Sequence, residues 1–260
     1  MPDYINPGEE LRDYLSSFYS QPSPNFLQQM DNDLMCEGEL AELVYDSCLN
    51  YLLRRLIKTA EYYRRHDPSD WRMKLKGFLR DHTRLRTGTD ELIRLLSRCL
   101  DAMQTEPTQL EKKQIRQRAR ENGHRCYLCG DVVEFQETDS YLAPSLDHMW
   151  PRATGGTSQR DNLRIAHQKC NSKLKRDFID ASDYHYEQIC AVSTPDDKNF
   201  TQEMTPLYRM AVFARSNFAC AVCDQPAFRV GTLRLGRVNP ADSWHFLNLQ
   251  GYCEKHLPNE

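Results

Sequence analysis

The chain has 260 residues, 40% of them hydrophobic and 27% charged, with a formal net charge of −3. That length accommodates two or three small domains. No apolar run nears the length of a membrane span, the opening MPDYINPGEE lacks a signal peptide's apolar core, and the mild acidity does not mark the whole chain as a nucleic-acid binder. Ten cysteines without an export signal point to metal ligands and free thiols in a reducing cytoplasm, not to a disulfide framework. The charge is uneven: basic residues outnumber acidic ones only in residues 111–180, by 13 to 10.

Residues 1–107 have few glycines, and apolar residues recur at helical spacing. Leu40, Leu43, Val44, Cys48, Tyr51, Leu52 and Leu56 step by three or four, as an amphipathic helix requires. Pro22 and Pro24 open this long segment and Arg64-Arg65-His66-Asp67-Pro68 closes it. The pattern predicts a second helix over Ser69–Thr83. Thr87-Gly88-Thr89-Asp90 reads as a turn and N-cap before a third helix, Glu91–Met103, and Pro107 opens a fourth. These stripes read as core, with Cys36, Cys48 and Cys99 as buried thiols. The region contains no phosphate-binding G-x-x-x-x-G-K-[ST], so any ATP dependence would belong to another protein.

The most specific features follow. Cys126 and Cys129 form a C-x2-C pair, and His167 and Cys170 form a second pair with the same gap. Two such pairs are the signature of a tetrahedral zinc site. Inside the loop this zinc would close stand Asp147 and His148, then Pro151, Gly155-Gly156 and Asn162; Asn171 follows Cys170 at the start of a helix predicted to run to Ile179. A carboxylate and an amide oxygen suit a hard cation such as Mg2+. A neutral imidazole beside them can take a proton from water at neutral pH. Phosphodiester hydrolysis needs these parts. Alternative readings of each residue alone are a surface histidine, a helix N-cap for Asn171 and a simple loop residue for Asn162.

The string C-x2-C, D-H-x-x-P, G-G, N-L, H-x-x-C-N-x-K resembles the HNH endonuclease family, the zinc-containing branch of the ββα-metal nucleases, over about residues 112–180. The resemblance implies two antiparallel strands and a helix around one catalytic cation. It implies that Asp147 and Asn171 hold Mg2+ or Mn2+, that His148 is the general base, and that Asn162 braces the loop that orients His148. His167 stands where many members carry Cys, and Asn171 makes this an H-N-N variant. Members with helical extensions resemble parts of prokaryotic restriction or antiphage systems, in which the extra domain docks a partner, for example an ATPase subunit. Basic residues concentrate around the motif. Arg152, Lys173, Lys175 and Arg176 are candidate phosphate contacts, while Lys112, Lys113, Arg116, Arg118, Arg120 and Arg125 form a cluster equally readable as a solvated helix face.

The motif recurs. Cys220-Ala-Val-Cys223 and Cys253-Glu-Lys-His256 repeat the ligand pairs with Cys and His exchanged in the second, and Asn248-Leu249 matches Asn162-Leu163. Asp147 aligns with Gly236, His148 with Arg237 and Asn171 with Leu257, so this copy should fold around zinc and cleave nothing. Arg237 is a candidate for phosphate contact. An unrelated zinc ribbon is the alternative.

The expected fold is α+β: an α-helical domain over 1–107 for partner docking or regulation, a zinc-stapled ββα-metal nuclease domain over 108–182 and a degenerate zinc-bound repeat over 183–260. The expected activity is hydrolysis of DNA in the cytoplasm, with Mg2+ or Mn2+ at the catalytic site and two structural Zn2+ ions. The chain is also a candidate homo-oligomer. A non-catalytic nucleic-acid or protein-binding zinc module, or an RNA nuclease of the same mechanism, is the alternative function.

Overall fold

The computed structural model describes residues 4–19, 39–83, 87–136, 140–187 and 205–258. The predicted start at Pro22 and Pro24, the thiol of Cys36 and the side chain of Leu40 lie outside the described residues. The chain forms two compact units, one of residues 1–107 with 148–163, the other of 108–147 with 164–260.

The first unit is built on helices. α1 (Pro7–Ser16) begins with Pro at its first position, where the missing N–H is no loss, and with Glu9 and Glu10 in its first turn, where they face the positive end of the helix dipole. α2 (Glu39–His66), α3 (Trp71–His82) and α4 (Thr89–Gln104) follow. Leu11 and Leu15 of α1, Leu53, Leu56 and Ile57 of α2, Leu75 and Leu79 of α3 and Leu92 and Leu96 of α4 are buried at or near 0% exposure. Each such side chain contributes about 1.5–3 kcal/mol by leaving water. Buried Asn50 is satisfied across the helices: Arg12 Nε donates to Asn50 Oδ1 at 2.9 Å while Arg12 pairs with Asp46 at 2.7 Å.

The buried face of α2 differs from the predicted stripe. Ala41, Leu49, Leu53, Leu56, Ile57 and Ala60 point inward, whereas Val44, Cys48 and Tyr51 are exposed. Leu56 belongs to both, but the inward face is turned by roughly 140° from the predicted stripe on a 3.6-residue helix. Tyr and Cys weighted the wrong one, because docking of α1 and α4 decides the face. Cys48 is thus not a buried thiol, while Cys99 is.

The second unit opens with α5 (Gln109–Glu121), started by a capping box in which Thr108 Oγ1 accepts from Glu111 N at 3.2 Å and the Glu111 carboxylate accepts from Thr108 N at 2.7 Å. The chain then turns through the first cysteine pair and enters β1 (Pro144–His148), which pairs with β2 (Leu163–His167). The bonds Gln168 N to Ala143 O and Met149 N to Asn162 O make the pair antiparallel. The predicted helix after Cys170 is one π-type turn, Cys170–Lys175. Arg176 leaves it at φ 48, a left-handed conformation that cannot continue a helix, so the segment to Ile179 is not helical. α6 (Ala181–Glu187) and α7 (Pro206–Arg215) pack together.

The rest repeats the first motif. After α7 come the second cysteine pair, the short α8 (Ala227–Val230), β3 (Arg234–Arg237) and β4 (Leu249–Tyr252), with Arg234 opposite Tyr252 and Arg237 opposite Leu249. The correspondence extends to individual backbone bonds. Cys126 N to Asp131 O is matched by Cys220 N to Gln225 O, Tyr127 N to Ile165 O by Ala221 N to Gly251 O, and His124 N to Ala119 O by Phe218 N to Phe213 O. Left-handed Gly123 and Gly130 are matched by left-handed Asn217 and Asp224. The single helical turn Arg160–Asn162 before β2 is matched by Phe246–Asn248 before β4. Among the described residues no helix is long and apolar enough to cross a membrane.

Candidate active site and metal centres

Two sets of four donor atoms converge: Cys126, Cys129, His167 and Cys170, and Cys220, Cys223, Cys253 and His256, each with its ligand atoms within 4.8 Å of one another. In the first, the His167 Nε2 lies 2.8 Å from the Val132 carbonyl. A carbonyl only accepts, so Nε2 carries the hydrogen and Nδ1 faces the sulfurs, 3.4 Å from Cys129 Sγ. In the second, His256 Nδ1 lies 3.3 Å from Cys253 Sγ and 3.7 Å from Cys220 Sγ. Burial opposes ionisation of Cys126, but bonds from Cys129, Cys170 and His167 override it and hold its thiol well below the ordinary range. The bond to Cys126 in turn pushes Cys129 up, and Cys170 up to about 12. Such a set cannot ionise together without a compensating dication. Three thiols and one imidazole are a zinc donor set, and each cluster could hold one zinc ion.

β1 places Asp147 inside and His148 at its end. Asp147 is 4% exposed. Its Oδ2 accepts from the Tyr127 hydroxyl, which lies between the two zinc-ligand cysteines, and pairs with Lys175 Nζ at 3.2 Å. Burial holds the Asp147 carboxyl above the usual range, and Lys175 and Tyr127 only partly offset this. Burial also pushes Tyr127 well up, reinforced by the Asp147 charge. Asn171, at the start of the π-type turn, donates through Nδ2 to Ser145 Oγ at 2.8 Å and to Leu146 O at 3.2 Å. Its amide hydrogens are thus tied to the strand that carries Asp147.

His148 lies at the head of the loop 148–163. Its Nε2 is 3.0 Å from Ser158 Oγ, and Ser158 in turn donates to the carbonyl of Thr105, the residue after α4, at 2.7 Å. Asn162 holds the loop closed: Oδ1 accepts from Trp150 N at 2.8 Å, Nδ2 donates to Trp150 O at 3.0 Å and to Thr157 O at 2.8 Å, and its carbonyl accepts from Met149 N at 2.8 Å. Asn6 secures the same loop from the start of α1, accepting from Thr157 N at 3.0 Å and donating to Asn162 Oδ1 at 3.3 Å. Tyr127, Ser158 and Asn6 had no signal in the sequence. Asn6 is 156 residues from its partner Asn162.

The basic candidates divide by exposure. Lys173 is exposed and lies 4.3 Å over the Tyr141 ring, and Arg176 is exposed. Arg152 pairs with Glu106 at 2.7 Å. Lys175 is 2% exposed, turned inward to Asp147.

In the second copy Asn248 keeps the brace: Oδ1 accepts from Asn239 N at 2.9 Å and Nδ2 donates to Asn239 O and Ser243 O. The positions of Tyr127, Asp147, His148 and Asn171 hold Ala221, Gly236, Arg237 and Leu257. Arg237 is not presented to a phosphate. It is 8% exposed, lies 4.7 Å over the Trp244 ring and donates to Asp242 O at 3.0 Å, because the guanidinium plane finds an aromatic face inside the loop. His245 pairs with Asp242 at 3.3 Å and is not among the four zinc donors.

A family model described as HNH endonuclease matches residues 126–177. No curated protein and no solved structure matches the chain. The matched stretch begins at the first cysteine of the first four-donor cluster, encloses β1, the Asn162-braced loop and β2, and ends just beyond the π-type turn. Over Cys126–Asp177 the chain is similar to the HNH endonuclease family and carries a four-donor cluster that could hold zinc.

Proposed function

We propose that the chain is a metal-dependent endonuclease that hydrolyses DNA phosphodiester bonds, with His148 as general base and Asp147 and Asn171 as protein ligands to Mg2+ or Mn2+. The observation that carries this reading is the contact of His148 with Ser158. The one hydrogen of Ser158 goes to Thr105 O, so its oxygen accepts from Nε2–H and Nδ1 is left as the basic nitrogen. That contact orients the ring, and Nδ1 is the nitrogen proposed to take a proton from an attacking water.

The donor set fits a hard cation. Both bonds to Asp147 fall on Oδ2, which leaves Oδ1 as the oxygen through which it would hold the ion. Asn171 spends its amide hydrogens on β1, which supports its oxygen as the second ligand. When bound, the cation would stabilise charge on the phosphoryl and leaving oxygens. Lys173, Arg176 and Arg152 would contact the DNA backbone, and Lys175 would hold the Asp147 carboxylate in place.

Two zinc ions are the proposed structural metals, and the second repeat is a zinc-folded copy without catalysis. The proposed division of labour gives 108–182 the chemistry, 183–260 the second zinc fold and 1–107 docking of a partner. Val44, Cys48, Tyr51 and Tyr62 form one exposed stripe along α2, which supports such docking. An ATPase subunit of a cytoplasmic prokaryotic restriction or antiphage system is the proposed partner. Homo-oligomerisation would let two active copies cut both strands.

The deciding experiment is cleavage of supercoiled plasmid with added Mg2+, run beside His148→Ala. The variant should bind zinc as the parent does and cut at least about 100-fold more slowly. Near-parental cleavage by His148→Ala would overturn the reading. RNA substrates run alongside test the choice of DNA, and full activity of a purified monomer would remove the partner.

A further inference from the structure

The second unit has an open groove whose two walls differ in character. One wall is a single face of α5, with Lys112, Lys113, Arg116 and Arg120 along it. The spacing of 112, 116 and 120 is one helical turn per step, which aligns these cations in a row. The one carboxylate on this face, Glu121, accepts from Gln117 Nε2 at 2.8 Å. The opposite wall is uncharged, with the hydrogen-bonding Ser145, Gln168 and Ser172 beside the apolar Phe135, Ala143 and Pro144. Ser145 is the residue that receives the Asn171 amide at 2.8 Å, and it stands two positions before Asp147 on β1. The groove therefore runs from a row of cations to the strand that carries the proposed cation ligand.

We infer that this groove holds the sugar–phosphate backbone of the DNA substrate, with α5 tracking one strand and the serine wall delivering it to β1. Lys112 to Arg120 spans about 12 Å at 1.5 Å per residue. A DNA strand carries one phosphate per about 3.4 Å of helix axis, so the row faces about three or four phosphates. Basic side chains on one side and hydroxyl and amide groups on the other are the mixture that contacts phosphate and sugar without reading bases. The inference rests on the proposed nuclease reading and assigns it a substrate path. It makes a part of the chain outside the matched family segment, α5, the main source of affinity.

The test uses the full chain carrying His148→Ala, so that no strand is cut, and a fluorescein-labelled duplex of about 20 base pairs titrated at several salt concentrations. In that background Lys113→Ala/Arg116→Ala/Arg120→Ala is compared with Arg118→Ala, which removes a cation from the same helix but not from the groove. The triple variant should bind about tenfold or more weaker at low salt. Its slope of log affinity against log salt should be shallower by up to about 2.7, at about 0.9 per lost phosphate contact. Arg118→Ala should leave both unchanged. Zinc content and circular dichroism check the fold, and Arg116→Gln alone, with a slope change of about 0.9, serves if the triple variant is damaged. Unchanged affinity and slope, or an equal loss in Arg118→Ala, overturns the inference, as does binding of an RNA duplex with none of DNA. Because binding is read in a chain that cannot cut, persistence of plasmid cleavage in His148→Ala would count against the base and not against the groove.

Discussion

Asn248 bonds the loop of the second repeat as Asn162 bonds that of the first: each amide oxygen accepts from the second residue beyond the strand end, and each amide nitrogen donates to two carbonyls of the same loop. Both Asn side chains are buried, at 1% and 5% exposure, so their amides need these partners in place of water. Loss of either should remove three loop hydrogen bonds, at about 0.5–1.5 kcal/mol each. Asn162→Ala and Asn248→Ala should therefore lower the melting temperature by similar amounts. Only Asn162→Ala should also slow plasmid cleavage, since only its loop begins at His148, the proposed base. Equal losses of cleavage in the two variants would contradict the assignment of one active and one structural copy.

Ser158→Ala should reduce kcat by about 10- to 100-fold with little change in KM, because the histidine loses the contact that fixes its ring and its tautomer. Ser158→Thr keeps the hydroxyl and should recover most of the rate. A measured kcat for Ser158→Ala within about twofold of the parent would show that His148 is positioned by other groups.

The four-donor clusters were legible because a tetrahedral site demands close ligand pairs, and Cys126-x2-Cys129 and His167-x2-Cys170 sit at strand and turn ends where the backbone can bring them together. The repeat was legible for the same reason. The helices of residues 1–107 were readable as helices, yet the inward face of α2 was not, since a broad apolar arc leaves the docking angle to α1 and α4. Nor could the sequence reveal that Asp147 lies between Tyr127 and Lys175, or that Asn6 holds the His148 loop, because these pairs are joined only by folding. A cluster written as Lys173, Lys175, Arg176 looks uniform in sequence. The π-type turn and left-handed Arg176 separate it into one buried and two exposed cations.

Metal analysis of the purified chain should find two zinc ions per chain, one for each four-donor cluster. Cys220→Ser should reduce this to one while leaving the first cluster and cleavage in place. Chelation strong enough to strip both should unfold the second unit, because three thiols and an imidazole gathered without a cation disfavour ionisation of one another. Zinc should also be released on acidification, as protons compete for the sulfurs. A parent chain with a single zinc ion would refute the paired clusters.

The start of α1 is packed so closely on the His148 loop that a methyl group decides a prediction. Gly8 N donates to Gly155 O at 3.2 Å, and a Cβ added at Gly8 would lie 1.9 Å from Thr154 O and 2.3 Å from Trp150 Nε1. Those two atoms already bond to each other at 2.9 Å. Gly8→Ala must therefore displace α1 or break the Trp150–Thr154 bond, and either shifts the loop that begins at His148. Cleavage should fall by about 10- to 100-fold while two zinc ions stay bound, since the metal clusters are remote from this contact in the chain. Gly77→Ala supplies the contrast. Gly77 lies inside α3 with nothing within 4 Å of an added Cβ, so the change should stabilise the helix by about 0.5–1 kcal/mol and leave cleavage unaltered. Parental cleavage by Gly8→Ala would show that residues 4–19 do not hold the loop, and would return the whole helical part to the role of partner docking alone.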